Sequence, residues 1–223
     1  MKTLLLIQPG RIGDIIICLP IARWYSQEYE VLWECPVEYH AMFRNIPYCR
    51  PIATANLNPD KVIDLGFGLR KKSEVHQWWI KNRASFSSFV YAKYQLADVP
   101  IEERWKLVWD RNTLRENALY DRIVSEKGSQ YSIAHEKTHD DSIYIHVANK
   151  VIFTPIADFN IFDWYRVLME ADSIHCIDSS LCNFVESVPE FEPKRKFYYR
   201  TGKVKDDWGM TTTKNNWWKV NEC

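Results

Sequence analysis

The sequence predicts an α/β protein with two lobes, each built from alternating strands and helices around a parallel sheet. The chain opens with a short apolar run, Lys2–Gln8, that stops at Pro9-Gly10, as a buried parallel strand does. Helical apolar repeats then alternate with further short apolar runs, which is the pattern of βαβ units. The second half repeats this alternation in shorter form, and 223 residues suffice for two small domains.

Apolar and β-branched runs of four to eight residues predict the strands, and apolar residues at helical spacing predict the helices. The first half has strands at Lys2–Gln8, Glu30–Cys35, Cys49–Ala53 and Lys61–Leu65, with helices at Gly13–Tyr29, Val37–Asn45 and Ser73–Ala97. Asp98-Val99-Pro100 ends the last of these helices, because the residue before a proline disfavours helical backbone. The second half has helices at Leu114–Ser125, Phe162–Ala171 and Ser179–Ser187, with strands at Gln130–His135, Val151–Pro155, Ser173–Asp178 and Lys196–Arg200.

The lobes are predicted to span residues 1–108 and 109–223. The segment Ile101–Asn112 is highly charged and carries two tryptophans, so we interpret it as the connection between the lobes. The tail ends shortly after Trp217-Trp218, and one option is that it packs back on the first lobe.

Composition restricts the possible partners and the compartment. Lys plus Arg and Asp plus Glu are 29 each, so no whole-molecule field attracts nucleic acid or an anionic membrane. The first residues have no signal-peptide cleavage site, and no apolar run is long enough to span a membrane. Cysteines without CxxC spacing, mostly in apolar segments, indicate buried thiols and a cytoplasmic location. They are Cys18, Cys35, Cys49, Cys176, Cys182 and Cys223.

The turn after the first strand carries a candidate acidic group. The run QPGRIGDIIICLP places Gly10, Arg11, Gly13 and Asp14 at the strand edge where open α/β sheets bind ligands. The glycines permit close backbone approach, and the helix dipole favours an ionised Asp14 that can accept a proton. The alternative is that Asp14 only caps the helix. The dinucleotide fingerprint GxGxxG is absent here.

Gly13-Asp14, followed after five residues by Pro20 and Ala22, resembles the N-terminal signature of heptosyltransferase-like glycosyltransferases of the ADP-heptose:LPS type. The resemblance implies the GT-B architecture, in which two Rossmann-like lobes face each other across a cleft. It also implies that Asp14 is the catalytic base. Gly10, Arg11 and Gly13 would then contact the acceptor or a phosphate.

A second match lies in ADSIHCIDSSLCNFVES. The same family has a strand running into Asp-Ser-Gly, two residues and His, where a helix N-terminus holds the donor diphosphate. The corresponding residues are Asp178, Ser179, Ser180 and Asn183, with serine in place of glycine and asparagine in place of histidine. Backbone N–H groups, hydroxyls and an amide still suit phosphate oxygens. The alternative is that the serines only cap the helix.

The segment His135-Glu136-Lys137-Thr138-His139 matches the zinc-protease pattern HExxH. That pattern needs a helix, whereas the preceding residues alternate like a strand. In the glycosyltransferase interpretation, His135 and Lys137 face the donor phosphates, and the alternative is a solvated turn. His175, in an apolar strand, is expected to be a core histidine with its hydrogen bonds satisfied.

Together these features predict sugar transfer from a nucleotide-sugar donor to an acceptor hydroxyl, with inversion and without a metal or another cofactor. The acceptor is left open among a glycan, a lipid-linked sugar and a modified nucleic acid, and so is the oligomeric state. Three alternatives stand beside this prediction. They are a catalytically inactive nucleotide-sugar-binding module, a zinc metalloprotease using His135, Glu136 and His139, and a viral glycosyltransferase acting on modified DNA bases.

Overall fold

A computed structural model describes residues 1–53, 57–66, 77, 80–82, 89–139, 141–200 and 218–222. Within these residues the chain divides into two compact units, the first ending at Asp110 and the second beginning at Arg111. The predicted contact of the tail with the first lobe lies outside the described residues. Among the described residues, no helix combines the length and the apolar character needed to cross a bilayer.

The first unit contains a four-stranded parallel sheet with the order β3-β2-β1-β4. Its elements are β1 (Lys2–Ile7), α1 (Ile12–Tyr25), β2 (Tyr29–Glu34), β3 (Arg50–Ile52), β4 (Lys61–Asp64) and α2 (Phe89–Leu96). Two 3-10 helices lie at Val37–Asn45 and Ile101–Trp105.

The apolar run of β1 is continuous because both faces of the strand are covered. Leu4 and Leu6 are fully buried, and Leu5 packs with Leu32 of β2 in a cluster on the same face. The fully buried Trp33 of β2 donates its indole N–H to the backbone oxygen of Gln8, at 3.4 Å. Strands buried on both faces are typical of parallel sheets, so the start of the chain forms the centre of the unit.

The second unit contains a five-stranded parallel sheet with the order β6-β5-β7-β8-β9. Its strands are β5 (Ser132–His135), β6 (Lys150–Ile152), β7 (Ser173–Cys176), β8 (Lys196–Arg200) and β9 (Trp218–Glu222). Its α-helices are α3 (Thr113–Lys127), α4 (Tyr165–Glu170) and α5 (Ser180–Ser187).

Val37–Asn45 is helical as predicted, in the 3-10 form that short connectors often take. Two other features of local structure differ from the sequence prediction. The predicted helix Phe162–Ala171 divides into a 3-10 turn at Ile161–Trp164 and the short α4, because a capping box joins Asn160 and Asp163. The sequence also gave no sign of β9, which pairs in parallel with β8.

The strand orders locate the ligand-binding edge of each sheet. In the first sheet the order reverses between β1 and β4, and in the second it reverses between β5 and β7. Open α/β sheets bind ligands outside the carboxyl ends of the strands at such a reversal. The predicted Asp14 loop follows β1, and the predicted Asp178–Ser180 loop follows β7.

Candidate functional site

Gln8 organises the chain where β1 ends. Its side chain is fully buried, its Nε2 donates to the Leu65 carbonyl oxygen at 3.0 Å, and its Oε1 accepts from the Gly10 N–H at 2.9 Å. Leu65 directly follows β4. One amide therefore joins the loop after β1 to the residue after β4, at the reversal of the first sheet.

Gly10 makes the loop tight enough to bring Asp14 against it. A Cβ atom at residue 10 would lie 2.6 Å from the Asp14 Cβ and 2.7 Å from the Gln8 Oε1. Real Cβ atoms do not approach other heavy atoms so closely, so a side chain here would displace Asp14 or Gln8. Residue 10 must therefore be glycine, because its neighbours pack too closely for any side chain.

Asp14 lies in the first turn of α1, and its side chain is 29% exposed. Its Oδ1 is 3.4 Å from the Nζ of Lys93 on α2. The N-cap of α1 is Arg11, and Asp14 is the third helical residue, so the alternative that Asp14 occupies the cap is wrong. Arg11 is exposed, and Gly13 is the residue before Asp14. The carboxylate is half-buried, paired with a cation, and open on one side.

Lys93 is the residue of this site that sequence reasoning missed. Its side chain is 2% exposed, and its Nζ donates to the Leu65 carbonyl oxygen at 3.1 Å. In the sequence it is one lysine within a long predicted helix. Only the folded chain brings it to the carboxyl ends of β1 and β4.

In the second unit, the loop after β7 leads into α5 as predicted. Ser179 is the N-cap residue, with extended backbone at φ −163° and ψ 171°, and its Oγ accepts from the Cys182 N–H at 3.3 Å. The serine therefore caps the helix, while its own hydroxyl hydrogen remains a potential donor. The N–H groups of Ser180 and Leu181 precede the first intrahelical hydrogen bond and have no intrahelical acceptor.

Two further predicted residues flank this helix start. Asp178 precedes the N-cap and is partly exposed, whereas the Asn183 side chain is only 6% exposed within the first turn of α5. The Asn183 backbone oxygen accepts from the Ser187 hydroxyl at 2.7 Å. Asp178 and Ser180 are therefore partly exposed at this helix start, whereas Asn183 is buried.

His135 ends β5 beside this helix start. It is the register partner of Cys176 at the end of β7, and its backbone oxygen accepts from the Ile177 N–H at 3.3 Å. Its ring is 9% exposed and lies edge-on to Phe153, with 4.9 Å between ring centroids. Burial lowers the pKa of His135 to about 4, against a hydrogen bond with the Lys137 backbone that raises it. Among the described residues, its Nδ1 has no hydrogen-bond partner.

The HExxH segment is a strand end followed by a hairpin. Lys137 pairs with Ser142 in an antiparallel bridge, and the Thr138 N–H donates to the Asp141 backbone oxygen at 2.8 Å. The Glu136 Oε1 accepts from the Ile145 N–H and from the Lys150 Nζ, both at 2.6 Å. The zinc-protease alternative is therefore wrong, because it needs a helix and a glutamate that is free to activate water. The Lys137 side chain is exposed on this hairpin.

His175 is a core histidine, as predicted. Its Nε2 is 2.8 Å from the Ser173 hydroxyl oxygen, its Nδ1 is 2.9 Å from the Tyr199 hydroxyl oxygen, and its ring stacks on Phe197. Burial lowers its pKa to about 4, and the nearby Arg195 adds to the effect. The ring is therefore neutral at pH 7.

The two buried histidines predict acid destabilisation. Because their folded pKa of about 4 lies below the ordinary 6.5, the unfolded chain binds more protons between these values. Their contribution to stability is complete above pH 6.5 and is lost as the pH falls towards 4. We expect each to reduce the free energy of unfolding by about 2 kcal/mol between pH 7.5 and 5.

Urea unfolding at both pH values measures this loss, and His175→Gln should reduce it by about half. Exposed His146 offers a control for the substitution itself, since His146→Gln should leave the free energy of unfolding at pH 7.5 unchanged. An unchanged pH dependence in His175→Gln would show that His175 does not titrate as the structure indicates.

Two Rossmann-like units, each with polar groups at the reversal of its parallel sheet, define the GT-B class of fold. The chain is similar over its whole length to three solved glycosyltransferase structures. The glycosyl transferase family 9 from Veillonella parvula has 9% sequence identity, 99% coverage of this chain, 87% coverage of that chain, and a TM-score of 0.56. The E. coli heptosyltransferase WaaC with ADP has 11% identity, 99% and 91% coverage, and a TM-score of 0.51.

The third structure is TibC from enterotoxigenic E. coli, an iron-containing dodecameric glycosyltransferase. It has 10% identity and a TM-score of 0.55, and the match covers 99% of this chain and 62% of that chain. No protein-family profile and no curated protein sequence matches the chain. At these identities the similarities establish the fold, and they confirm the GT-B-like class predicted from the sequence.

Proposed function

We propose that this chain is a glycosyltransferase that moves a sugar from a nucleotide-sugar donor to an acceptor hydroxyl. The observation that carries the proposal is the ion-paired, half-buried carboxylate of Asp14 at the reversal of the first sheet. Two further observations support the proposal. The fold is GT-B-like, and the sequence around Asp14 resembles a glycosyltransferase signature.

Asp14 acts as the general base. It takes the proton of the acceptor hydroxyl while the acceptor oxygen bonds to the anomeric carbon and the bond from that carbon to the donor phosphate breaks. The electron pair leaves with the nucleoside diphosphate. A single displacement of this kind inverts the configuration at the anomeric carbon.

The second unit binds the donor diphosphate. The Ser180 and Leu181 N–H groups at the start of α5 suit phosphate oxygens, and the helix dipole favours the charge that develops on the leaving group. Neutral His135 lies at the same strand edge, and exposed Lys137 supplies a positive charge nearby in sequence. Asp178 and Asn183 flank the helix start.

In this proposal these groups stabilise the leaving diphosphate without a metal ion. The reaction uses the nucleotide sugar as co-substrate and no cofactor. TibC is described as containing iron. In the part of this chain that the structure describes, no group of three or more His, Cys, Asp or Glu side chains is arranged to hold a metal ion. Metal-independent transfer is part of the proposal, and an assay in the presence of a chelator tests it.

A donor panel tests the proposal. WaaC has been solved with ADP and with ADP-2-deoxy-2-fluoro heptose, so ADP-linked sugars are the first donors to assay. Glycans, lipid-linked sugars and DNA with modified bases serve as acceptors. We expect acceptor-dependent release of nucleoside diphosphate that persists in a metal chelator, with an inverted anomeric product by NMR.

Two other results would reject parts of the proposal. Binding of donors without any turnover across the panel would favour the inactive binding module instead. Loss of turnover in the chelator, with recovery on adding a divalent metal, would contradict the metal-independent mechanism.

A further inference from the structure

Lys93 is a buried ammonium at the proposed catalytic edge of the first unit. Its side chain extends from α2 and is 2% exposed, and its Nζ lies 3.4 Å from the Asp14 Oδ1 and 3.1 Å from the Leu65 carbonyl oxygen. A buried charge is strongly unfavourable unless it is paired and hydrogen-bonded. The fold keeps Lys93 in this position, and the Asp14 carboxylate supplies an opposite charge for it.

The contacts of Lys93 connect several parts of the first unit. The Leu65 carbonyl oxygen accepts from both the Lys93 Nζ and the Gln8 Nε2, and the Gln8 Oε1 accepts from the Gly10 N–H. Asp14 packs against Gly10 so tightly that residue 10 has no room for a Cβ. These contacts therefore join four elements around the Asp14 carboxylate, namely the ends of β1 and β4 and the helices α1 and α2.

Cys18 on α1 is a further ionisable group, and its pKa responds to the charges of Lys93, Asp14 and the buried Arg104. Burial raises the pKa of the Cys18 thiol, and the charges of Lys93 and Arg104 oppose that shift. The thiol therefore stays neutral at pH 7. Lys93 lies within ion-pair distance of Asp14.

We propose that Lys93 is a positioning residue for Asp14, an inference that rests on the proposed function. The ion pair holds Oδ1 and thereby fixes the orientation of the carboxylate, leaving Oδ2 to take the proton of the acceptor hydroxyl. In this role Lys93 exchanges no proton with the substrates.

Lys93→Met tests this role, because methionine keeps a long apolar side chain and removes the charge. We expect kcat to fall by about 10- to 100-fold, since the carboxylate loses its fixed orientation, while the KM for the donor stays close to wild type. Lys93→Arg keeps the positive charge and should restore part of the lost kcat, whereas a purely structural role for Lys93 would be disturbed by the larger side chain as well.

Lys61→Met is the matched control. Lys61 lies at the start of β4, and its Nζ contacts the Tyr25 hydroxyl at 2.9 Å, so the variant also removes a lysine held by a polar contact. Its kcat should match the wild type. A Lys93→Met enzyme with wild-type kcat would overturn the proposal.

A thermal double-mutant cycle tests the ion pair without any activity assay. Asp14→Asn should lower the melting temperature because it leaves a buried ammonium without its counter-charge, and adding Lys93→Met should recover most of the loss. Strictly additive shifts would overturn the pairing. A wild-type chain that turns over no donor would overturn the proposed function, whereas wild-type turnover retained in Lys93→Met would overturn only the role of Lys93.

Discussion

Asp14→Asn is expected to lower kcat by about 10²- to 10⁴-fold, the usual contribution of a general base. Asparagine has nearly the same shape as aspartate but cannot take the acceptor proton. Donor affinity should stay close to wild type, because the proposed diphosphate groups belong to the second unit. Steady-state kinetics give the loss of kcat, and a thermal-shift titration with nucleoside diphosphate gives donor binding.

Asp60→Asn is the control for this variant. The Asp60 Oδ2 accepts from the Thr3 N–H at 2.7 Å, before β4 and at the opposite edge of the sheet from Asp14. Its kcat should match the wild type. Unchanged turnover in Asp14→Asn, with the protein folded and the donor bound, would remove Asp14 from the mechanism.

Ser180→Pro is expected to weaken nucleoside-diphosphate binding by roughly 10- to 100-fold, the contribution of one hydrogen bond to a charged group. Residue 180 is the first residue of α5, where proline is tolerated because its missing N–H has no intrahelical acceptor. Ser179 before it is already extended, as a residue before proline must be. The substitution thus removes a proposed phosphate donor and keeps the helix.

Ser180→Ala is the matched control, since it removes the hydroxyl and retains the backbone N–H. If the N–H binds phosphate, the alanine variant should bind nucleoside diphosphate much more tightly than the proline variant. Calorimetric titration measures both affinities, and the melting temperature of the unliganded proteins reports their folding. Equal affinities in the wild type and a folded Ser180→Pro would show that the start of α5 does not hold the diphosphate.

Much of the fold was accessible from local pattern. The continuous apolar run of β1, the boundaries of β8 and the helix start at Ser179 all depend on residues close together in sequence. The HExxH segment was also predicted from neighbouring residues, because the strand-like alternation before His135 correctly indicated that this segment is not a helix. The GT-B-like class followed from two such local motifs at the ends of two predicted strands.

Local pattern was insufficient where contacts between distant elements set the structure. The sequence left two roles open for Asp14, a helix cap and a catalytic base. In the structure Arg11 is the N-cap residue of α1, and Asp14 forms an ion pair with Lys93. It did not separate the 3-10 turn at Ile161–Trp164 from α4, which depends on the Asn160 and Asp163 capping box. It also gave no indication of β9, whose pairing partner is β8.

The sequence alone predicted the parallel strands and the loops that follow them. It also singled out Asp14 and Ser179. These predictions succeed because apolar periodicity and helix capping depend on residues that are close together in sequence. The folded chain adds the Lys93 ammonium beside Asp14, the Gln8 amide that joins β1 to β4, and a neutral His135 beside the start of α5. These features arise because burial and charge pairing depend on which distant residues meet, and only the packed sheets bring them together.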